Sequence, residues 1–253
     1  PEAVADKIKN MPETENVYAT KYTMGELQIS KNEFLSEEEW SDYFKYQNQE
    51  PYYIQRYDGI CKQQEDGNYR IKYNVYGYDE AMIEQLRDFI LEGEIQPETI
   101  KNNNHVIVTA NMDGKGNYFF YGKKPGDTIT LRVPKTENYT DELLKFQSGE
   151  ENYIEKEFEI AAIVNRPLAQ EKDFLNTEVW KNAQSVIMTG EQMEENFGIT
   201  DYSFINASPA DSADAKIVSN QLLQVIRDVP KAVLQDYTTA IATQKGYLGQ
   251  QQI

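Results

Sequence analysis

The sequence predicts an α+β fold in which an α/β part, built from both ends of the chain, carries an inserted, mainly antiparallel β-rich part. Two observations predict it. Helix starts with explicit N-caps occur before residue 97 and again after residue 184, whereas the middle consists of short β-rich runs divided by Gly, Pro and Asn. The length of 253 residues is also enough for one or two domains.

The first stretch, residues 17–97, is predicted to be β-α-β-β-α. The run Val17–Leu27 is rich in Val, Tyr and Thr, which is typical of a strand. A capping box and a hydrophobic staple predict a helix over Glu37–Tyr46. The runs Tyr52–Lys62 and Tyr69–Tyr76 flank a turn sequence, so we expect a hairpin. A second helix should follow, with Asp79 as its N-cap and Gly93 as its C-cap. Its apolar residues recur at helical spacing: Met82, Ile83, Leu86, Phe89 and Ile90.

The inserted stretch, residues 98–184, is predicted to be mainly β-structure. Its four candidate strands are His105–Ala110, Tyr118–Tyr121, Thr128–Val133 and Phe158–Val164. The polar run Thr136–Glu151 is expected to be an exposed excursion between two of them. The pattern therefore favours a β-rich insertion.

In residues 185–236 the helix signals return. Thr189 and Gln192 have the spacing of a capping box, and Gly198 is placed to end that helix. Ser203–Ala207 is a candidate strand, and a long helix is expected from about Ser212 until Val229-Pro230. The α/β part is therefore completed by the second half of the chain.

Charge and composition exclude several functions. The formal net charge of −17 would repel phosphate, which argues against sequence-independent nucleic-acid binding and against a basic membrane-surface patch. A single His and a single Cys can supply neither a structural zinc site of the Cys/His kind nor an internal disulfide. At 40% hydrophobic residues the chain has enough apolar side chains for a core.

No candidate catalytic constellation survives inspection, so we predict no catalytic, cofactor-binding or metal-ligating residue. His105 marks the entry to a strand without a local partner, and Cys61 is expected to be an inert, buried or half-buried thiol. The glycine clusters at 114–116 and at 122 lack the P-loop spacing and are expected to be turns. Residues 111–117 lack the acidic alternation of a calcium loop.

Two further features have an ordinary structural interpretation. Neighbouring glutamates such as Glu194-Glu195 are favoured at helix starts, and a glycosidase would instead need two carboxylates facing each other across a cleft. The aromatic run Tyr118–Tyr121 could be a carbohydrate platform, but strand core plus surface is the favoured interpretation.

Several segments resemble the extracytoplasmic domain of MacB/FtsX-type ABC transporter permeases. KPGDTITL at Lys124–Leu131 and KEFEIAAIVNRP at Lys156–Pro167 are similar to the family's strand pair, in which a Gly-Asp turn leads into the first strand. NVYGYDEAMIEQLRDFILEGEI at Asn74–Ile95 and SVIMTGEQMEENFG at Ser185–Gly198 fall in the family's order. The likeness covers roughly Val17–Asp236. The acidic run around residues 136–155 departs from Gram-negative members and favours a Gram-positive relative.

The resemblance implies a fold, a place and a set of partners. It implies a porter-like α/β subdomain with an inserted β-rich subdomain, held between two transmembrane helices on the extracytoplasmic side of the cell membrane. Residues 1–16 and 237–253 would then be stalks. A separate cytoplasmic ATPase would drive the domain, without any cofactor in it, and the permease could be a homodimer. Implied substrates are peptides, lipoproteins or antimicrobials, handled by export or sensing without enzymatic chemistry.

Two alternatives remain open from the sequence. The first is a stand-alone secreted or lipid-anchored binding protein or adhesin domain, in which Tyr-rich loops make the contacts. The second is an acid-base hydrolase, which would need a cleft with a buried carboxylate pair.

Overall fold

Nine strands form one mixed sheet in the computed structural model, which describes residues 2–33, 58–102, 104–112, 118–135, 145–146, 149–168 and 184–236. The strands are β1 Thr14–Ile29, β2 Cys61–Gln63, β3 Tyr69–Tyr78, β4 Ile90–Gly93, β5 His105–Thr109, β6 Asn111–Met112, β7 Tyr118–Phe119, β8 Thr128–Pro134, β9 Tyr153–Val164, β10 Ser185–Thr189 and β11 Phe204–Pro209, of which β6 and β7 form a separate small ladder. The helices are α1 Glu2–Lys9, α2 Glu80–Gln85, α3 Pro97–Asn102, α4 Gly190–Phe197 and α5 Ala215–Ile226. The predicted α+β class is confirmed.

Six of these strands close into a barrel. Hydrogen-bonded neighbours follow one another around a ring in the order β1, β3, β10, β5, β9, β8 and back to β1. The β3–β10 and β5–β9 pairs are parallel and the other four are antiparallel. Closure leaves these strands without open edges in the middle of the fold.

The barrel interior is an apolar core to which all six strands contribute. Alternate residues of each strand point inward because side chains alternate between the two faces of a strand. The strand residues of this buried cluster include Leu27, Ile29, Ile71, Tyr73, Val75, Val106, Val108, Ile129, Leu131, Val133, Phe158, Ile160, Val186 and Met188. The Tyr73 and Tyr121 hydroxyls meet at 2.9 Å, and the rings of Phe158 and Phe197 lie 5.9 Å apart. The second contact brings α4 onto the core.

Gly25 shows how closely the barrel strands approach each other. A Cβ at this position would lie 2.9 Å from Val75 Cγ2 and 3.0 Å from the Arg132 carbonyl oxygen, so β3 and β8 both crowd it. A glycine is therefore needed where β1 passes between these two neighbours.

A second apolar cluster covers part of the barrel exterior under α2 and α3. It includes Met82, Ile83, Leu86, Ile95, Ile100, Ile107, Ala162, Val164 and Ile187. Asp79 is the N-cap of α2 as predicted, since its Oδ1 accepts a hydrogen bond from the Met82 backbone nitrogen at 2.9 Å. The two clusters give the barrel wall apolar residues on both faces.

Two details of the α2 prediction are wrong. The helical run ends at Phe89 after a 3₁₀ turn, and Ile90 starts β4, where it pairs with Val164 of β9. Gly93 has a positive φ of 86° but belongs to this strand rather than to a helix cap. Pairing with β9 outweighs the helical periodicity of the local sequence.

The other predicted elements agree well where they are described. The strand at Val17–Leu27 and three of the four middle strands are present, and the capping box of α4 has both of its hydrogen bonds. The hairpin is present with β3 as its second strand, but its first strand begins only at Cys61, and the strand expected at Tyr118–Tyr121 ends at Phe119. The prediction did not include α3, and it did not single out β10 as a strand. The predicted helix Glu37–Tyr46 and most of the predicted excursion Thr136–Glu151 lie outside the described residues.

The predicted division into parts stays a prediction. Strands of residues 17–97 and 185–236 alternate around the barrel with strands of residues 98–184, through the β1–β8 and β5–β10 ladders. The chain crossings near residues 97 and 184 are therefore not the only connections between the predicted parts.

Candidate functional site

The two ends of the described chain come together in a stem beside the barrel. We define the stem as α1, residues 14–20 of β1, β11 and α5. The first half of β1 pairs with β11 in an antiparallel ladder that runs from Thr14 opposite Pro209 to Thr20 opposite Phe204. The Ala210 backbone nitrogen also donates to the Glu13 carbonyl at 2.9 Å. Helices α1 and α5 pack against each other at the outer end of this ladder.

An open groove of about 510 Å³ lies between α1 and α5. Its lining combines apolar and polar side chains: Val4, Lys7, Met11, Glu13, Gln221, Gln224, Val225, Asp228 and Val229. Gln221 Nε2 on α5 donates a hydrogen bond to Glu13 Oε1 at 3.2 Å across the groove, which connects α5 to the residue just before β1. The groove belongs to the contact between the chain ends.

The stem and the barrel are joined by one continuous strand. Residues 14–20 of β1 pair with β11, and residues 21–29 pair with β3 in the barrel. Lys21 stands at this change of partner with only 3% of its side chain exposed, and its Nζ lies 3.1 Å from Glu194 Oε2 on α4. Because Glu194 is half-exposed, the pair is partly screened by water. It nevertheless places a buried charge at the junction.

A row of buried charges crosses the outer face of the barrel. Register places Lys72 of β3 and Arg132 of β8 on either side of Glu26 of β1. Lys72 Nζ is 2.7 Å from Glu26 Oε1, and all three side chains are almost fully buried. Burial lowers the pKa of Lys72, and the neighbouring Glu26 carboxylate opposes that change.

Arg132 is less completely paired than Lys72. Its Nε is 3.8 Å from Glu155 Oε2, its guanidinium stacks 4.5 Å from the Tyr153 ring centroid, and its two terminal nitrogens have no hydrogen-bond partner. Glu26 Oε2 also has none. Glu26 therefore pairs with the buried Lys72, whereas the ion pair of Arg132 is with Glu155, so the loss of Glu26 would leave the Lys72 ammonium buried without its carboxylate.

Sequence analysis missed this row and the buried Lys21. The usable sign was a charged residue at an alternating position within a strand-like run, because Lys21 and Glu26 both interrupt the predicted strand Val17–Leu27. Such positions are ordinarily assigned to solvent, and only the pairing of three strands shows that these are buried.

The residues weighed as catalytic candidates do not come together. His105 begins β5 as predicted, and its Nε2 lies 3.2 Å from Glu159 Oε1, a partner from β9 that the local sequence could not show. Cys61 begins β2, where burial raises its pKa to about 12, so the thiol is held protonated as expected. These two residues therefore form no constellation.

The remaining candidates have structural positions. Phe120 and Tyr121 are buried in the barrel core and Tyr118 is exposed, as core plus surface implies, but Phe120 and Tyr121 follow the end of β7 in a bend and a turn rather than in a strand. Gly122 occupies a turn with a φ of 69°. The candidate loop residues 113–117 lie outside the described residues.

Within the described ranges, no group of three or more His, Cys, Asp or Glu side chains could hold a metal ion. Glu26 is the one buried carboxylate among these residues, and its partner is a lysine. The described part of the chain thus has no buried carboxylate pair of the kind that the hydrolase alternative needs. No helix in that part is both long and apolar enough to cross a membrane.

Comparison with known proteins gives matches among solved structures. No protein-family model and no curated protein sequence matches the chain. It is similar to the extracellular domain of the noncanonical ABC-type transporter YknZ from Gram-positive bacteria, with 10% identity, a TM-score of 0.46, and coverage of 90% of this chain and 82% of that chain. It is also similar to the periplasmic region of MacB from Actinobacillus actinomycetemcomitans, with 9% identity, a TM-score of 0.49, and coverage of 96% and 82%.

Proposed function

We propose that this chain is the extracytoplasmic domain of a MacB/FtsX-type ABC transporter permease, held between two membrane helices and moved by a separate cytoplasmic ATPase. The observation that carries the proposal is the stem, in which the first and last described segments of the chain lie side by side through the β1–β11 ladder and the α1–α5 contact. A domain inserted between two membrane helices needs both of its ends at one place. The sequence resemblance supplies the family.

Strand β1 offers a direct path for movement. Its first half belongs to the stem and its second half is a barrel strand, so a displacement of the stem acts on the barrel without an intervening loop. A hinge between the predicted parts at residues 97 and 184 would instead have to open the β1–β8 and β5–β10 ladders. We therefore place the moving junction at Lys21, where β1 changes partners.

The substrate class that fits the charge is a cationic peptide. The net charge of −17 creates a negative field that attracts cations, although salt at physiological strength screens charges beyond ~8 Å. Titration of the chain with a cationic antimicrobial peptide at low ionic strength checks this part of the proposal. An absence of binding there would remove the cationic substrate and leave the permease assignment standing.

The placement is tested by labelling the full-length protein in cells. Glu65 lies exposed in the β2–β3 turn, and a Glu65→Cys variant should react with a membrane-impermeant maleimide in intact cells. The native Cys61 is the internal control, because its raised pKa keeps the thiol unreactive in the folded chain. Labelling at position 65 only after lysis would contradict an extracytoplasmic position.

Attachment at both ends is tested by specific proteolysis. Cleavage sites are introduced in the loop Asn10–Pro12, where Asn10 and Pro12 are exposed, and at the exposed Asp211–Ser212, singly and together, and the membranes are washed in urea after digestion. The permease proposal predicts that the barrel stays with the membrane after either single cut and is released after both. Release by one single cut would instead support the secreted or lipid-anchored alternative.

A further inference from the structure

Helix α5 carries an exposed face whose composition differs from the rest of this acidic chain. The exposed residues of the helix and its C-cap share one side, since they recur at helical spacing. They are Lys216, Ile217, Asn220, Leu223, Gln224 and Arg227. The face thus has two cations, two large aliphatic side chains and two amides, and the exposed Asp228 beside Arg227 is a carboxylate at its C-terminal end.

The two aliphatic side chains are unusually open to solvent. Ile217 is 55% exposed and Leu223 is 49% exposed, and together with Val233 they account for three of the four exposed large hydrophobic side chains in the described ranges. The fourth is Tyr118 on β7. Most exposed large apolar side chains of the described residues therefore lie in and just beyond the stem.

The net negative charge of the chain is carried almost entirely by the residues between its two ends. Residues 1–13 and 210–253 together hold six Lys and Arg against seven Asp and Glu, so residues 14–209 carry −16 of the net charge of −17. Arg227 has a neighbouring Asp228 at 3.2 Å, but both side chains are largely exposed, so this pair is weak and leaves the cation available. The sequence at the two ends is thus close to neutral beside a strongly negative body.

From these observations we propose that the exposed face of α5 rests on an anionic lipid surface. Leu and Ile side chains flanked by Lys and Arg are the composition of interfacial helices, in which the aliphatic groups enter the headgroup boundary and the cations meet lipid phosphates. The face extends over the ~18 Å length of the helix. The inference rests on the proposed function for the nearness of a membrane.

A second copy of the chain is a poorer occupant of this face. In a two-fold contact the same surface lies on both partners, so the Lys216 and Arg227 side chains of each copy would approach cations of the other. Such like-charge contacts are unfavourable, whereas an anionic lipid surface complements them. The amides at Asn220 and Gln224 also separate the two aliphatic groups, which leaves no continuous apolar centre for a protein interface.

The test places a fluorescent probe on the face and anchors the chain to vesicles. An Asn220→Cys variant is labelled with an environment-sensitive dye, and a polyhistidine tag after Ile253 holds it on nickel-chelating vesicles. The vesicles consist of phosphatidylcholine with or without phosphatidylglycerol. The Glu65→Cys variant, labelled in the β2–β3 turn, is the matched control. We expect a blue shift at position 220 that grows with phosphatidylglycerol, and none at position 65.

Substitutions of the face give the required quantitative check. Ile217→Ser with Leu223→Ser, or Lys216→Gln with Arg227→Gln, should each lower the ratio of lipid-contacting to free chains roughly tenfold. Lys124→Gln with Lys156→Gln, at exposed positions of the body, is the control for net charge and should not lower it. These substitutions lie at exposed positions, so a folded chain is expected in each case.

Several results would overturn the lipid contact. The first is no shift at position 220 on either vesicle, and the second is an equal shift at positions 65 and 220. The third is a shift at position 220 that appears without vesicles and rises with protein concentration, and this result would assign the face to a second copy. If the vesicle test fails but proteolysis in cells shows attachment at both ends, the lipid contact is contradicted and the proposed function stands. If the chain contacts lipid but its Glu65→Cys variant is labelled only after cell lysis, the proposed function is contradicted and the lipid contact stands.

Discussion

The barrel and the stem are built from strands and helices of similar kind, yet they bury their residues very differently. All five residues of the barrel strand β10 are buried, whereas all six residues of the stem strand β11 are only half-buried. In α5, Val218 is the one buried residue. The difference shows that the barrel is held by its own core, while the stem is a thin layer of contacts between two chain ends.

The cause of this difference is the number of neighbours that each strand has. A barrel strand is hydrogen-bonded on both sides and faces the apolar interior, so it opens only when the core opens. The described ladders pair β11 with β1 alone. We therefore expect the stem to open at a lower free energy than the barrel, as a segment that transmits movement requires.

The largest expected effect on the barrel comes from its buried charge row. Glu26→Gln leaves Lys72 buried without its carboxylate partner, which should lower the free energy of unfolding by about 3–5 kcal/mol. The matched control is Glu84→Gln, which breaks an ion pair with Arg87 in which the two side chains are 46% and 49% exposed, and there we expect about 0.5 kcal/mol or less. Urea unfolding measures both, and equal losses would show that the row does not stabilise the barrel.

The next effect concerns the close approach of strands at Gly25. Gly25→Ala should lower the free energy of unfolding by about 1–3 kcal/mol, because the added Cβ meets β3 and the backbone of β8. Gly190→Ala is the control outside the barrel, since the nearest atom to a Cβ there is 3.9 Å away. That change should be neutral or slightly stabilising. A similar loss at both positions would contradict the tight closure of β1 between its neighbours.

A smaller and more local effect is expected in the stem. Val218→Ala removes two methyl groups from the one buried side chain of α5 and should lower the local stability by about 1.5 kcal/mol. If the stem opens on its own, hydrogen exchange of α5 amides accelerates while exchange of β5 amides does not. Equal acceleration in both elements would mean that stem and barrel unfold as one unit.

The last prediction compares the reactivity of two thiols rather than the stability of two regions. Cys61 packs against the barrel core, and burial raises its pKa to about 12, so at pH 8 almost none of it is thiolate. An Asn220→Cys thiol on the exposed face of α5 should react with a thiol reagent more than about a hundredfold faster at that pH. Comparable rates would show that Cys61 is accessible and ionised in the folded chain.

The elements that sequence reasoning found are those with strong local signs. The N-cap Asp79 and the capping box of Thr189 and Gln192 depend on residues three apart, and the structure has both. The α2 end at Gly93 was wrong because pairing of β4 with β9, some 70 residues away in the chain, decides it. Barrel closure and the burial of Glu26 depend on non-local pairing in the same way, so no local pattern could supply them.

The stem illustrates the same limit for the candidate site. The sequence predicted the strands Val17–Leu27 and Ser203–Ala207 and the final helix, but their meeting depends on the ladder that joins residues almost 200 positions apart. The family resemblance supplied the expectation of stalks at both ends. The face of α5 needed the exposure of each residue, since the sequence predicted a helix there but did not show that Ile217 and Leu223 lie open to solvent.

Native-state hydrogen exchange of the unmodified chain tests the difference between barrel and stem most directly. Our account predicts that amides of β5 and β10 exchange only through global unfolding, with a denaturant dependence equal to that of urea unfolding. Amides of β11 and α5 should exchange through a smaller opening at a free energy lower by at least ~2 kcal/mol. Exchange of all four elements at one common free energy would contradict a separately opening stem.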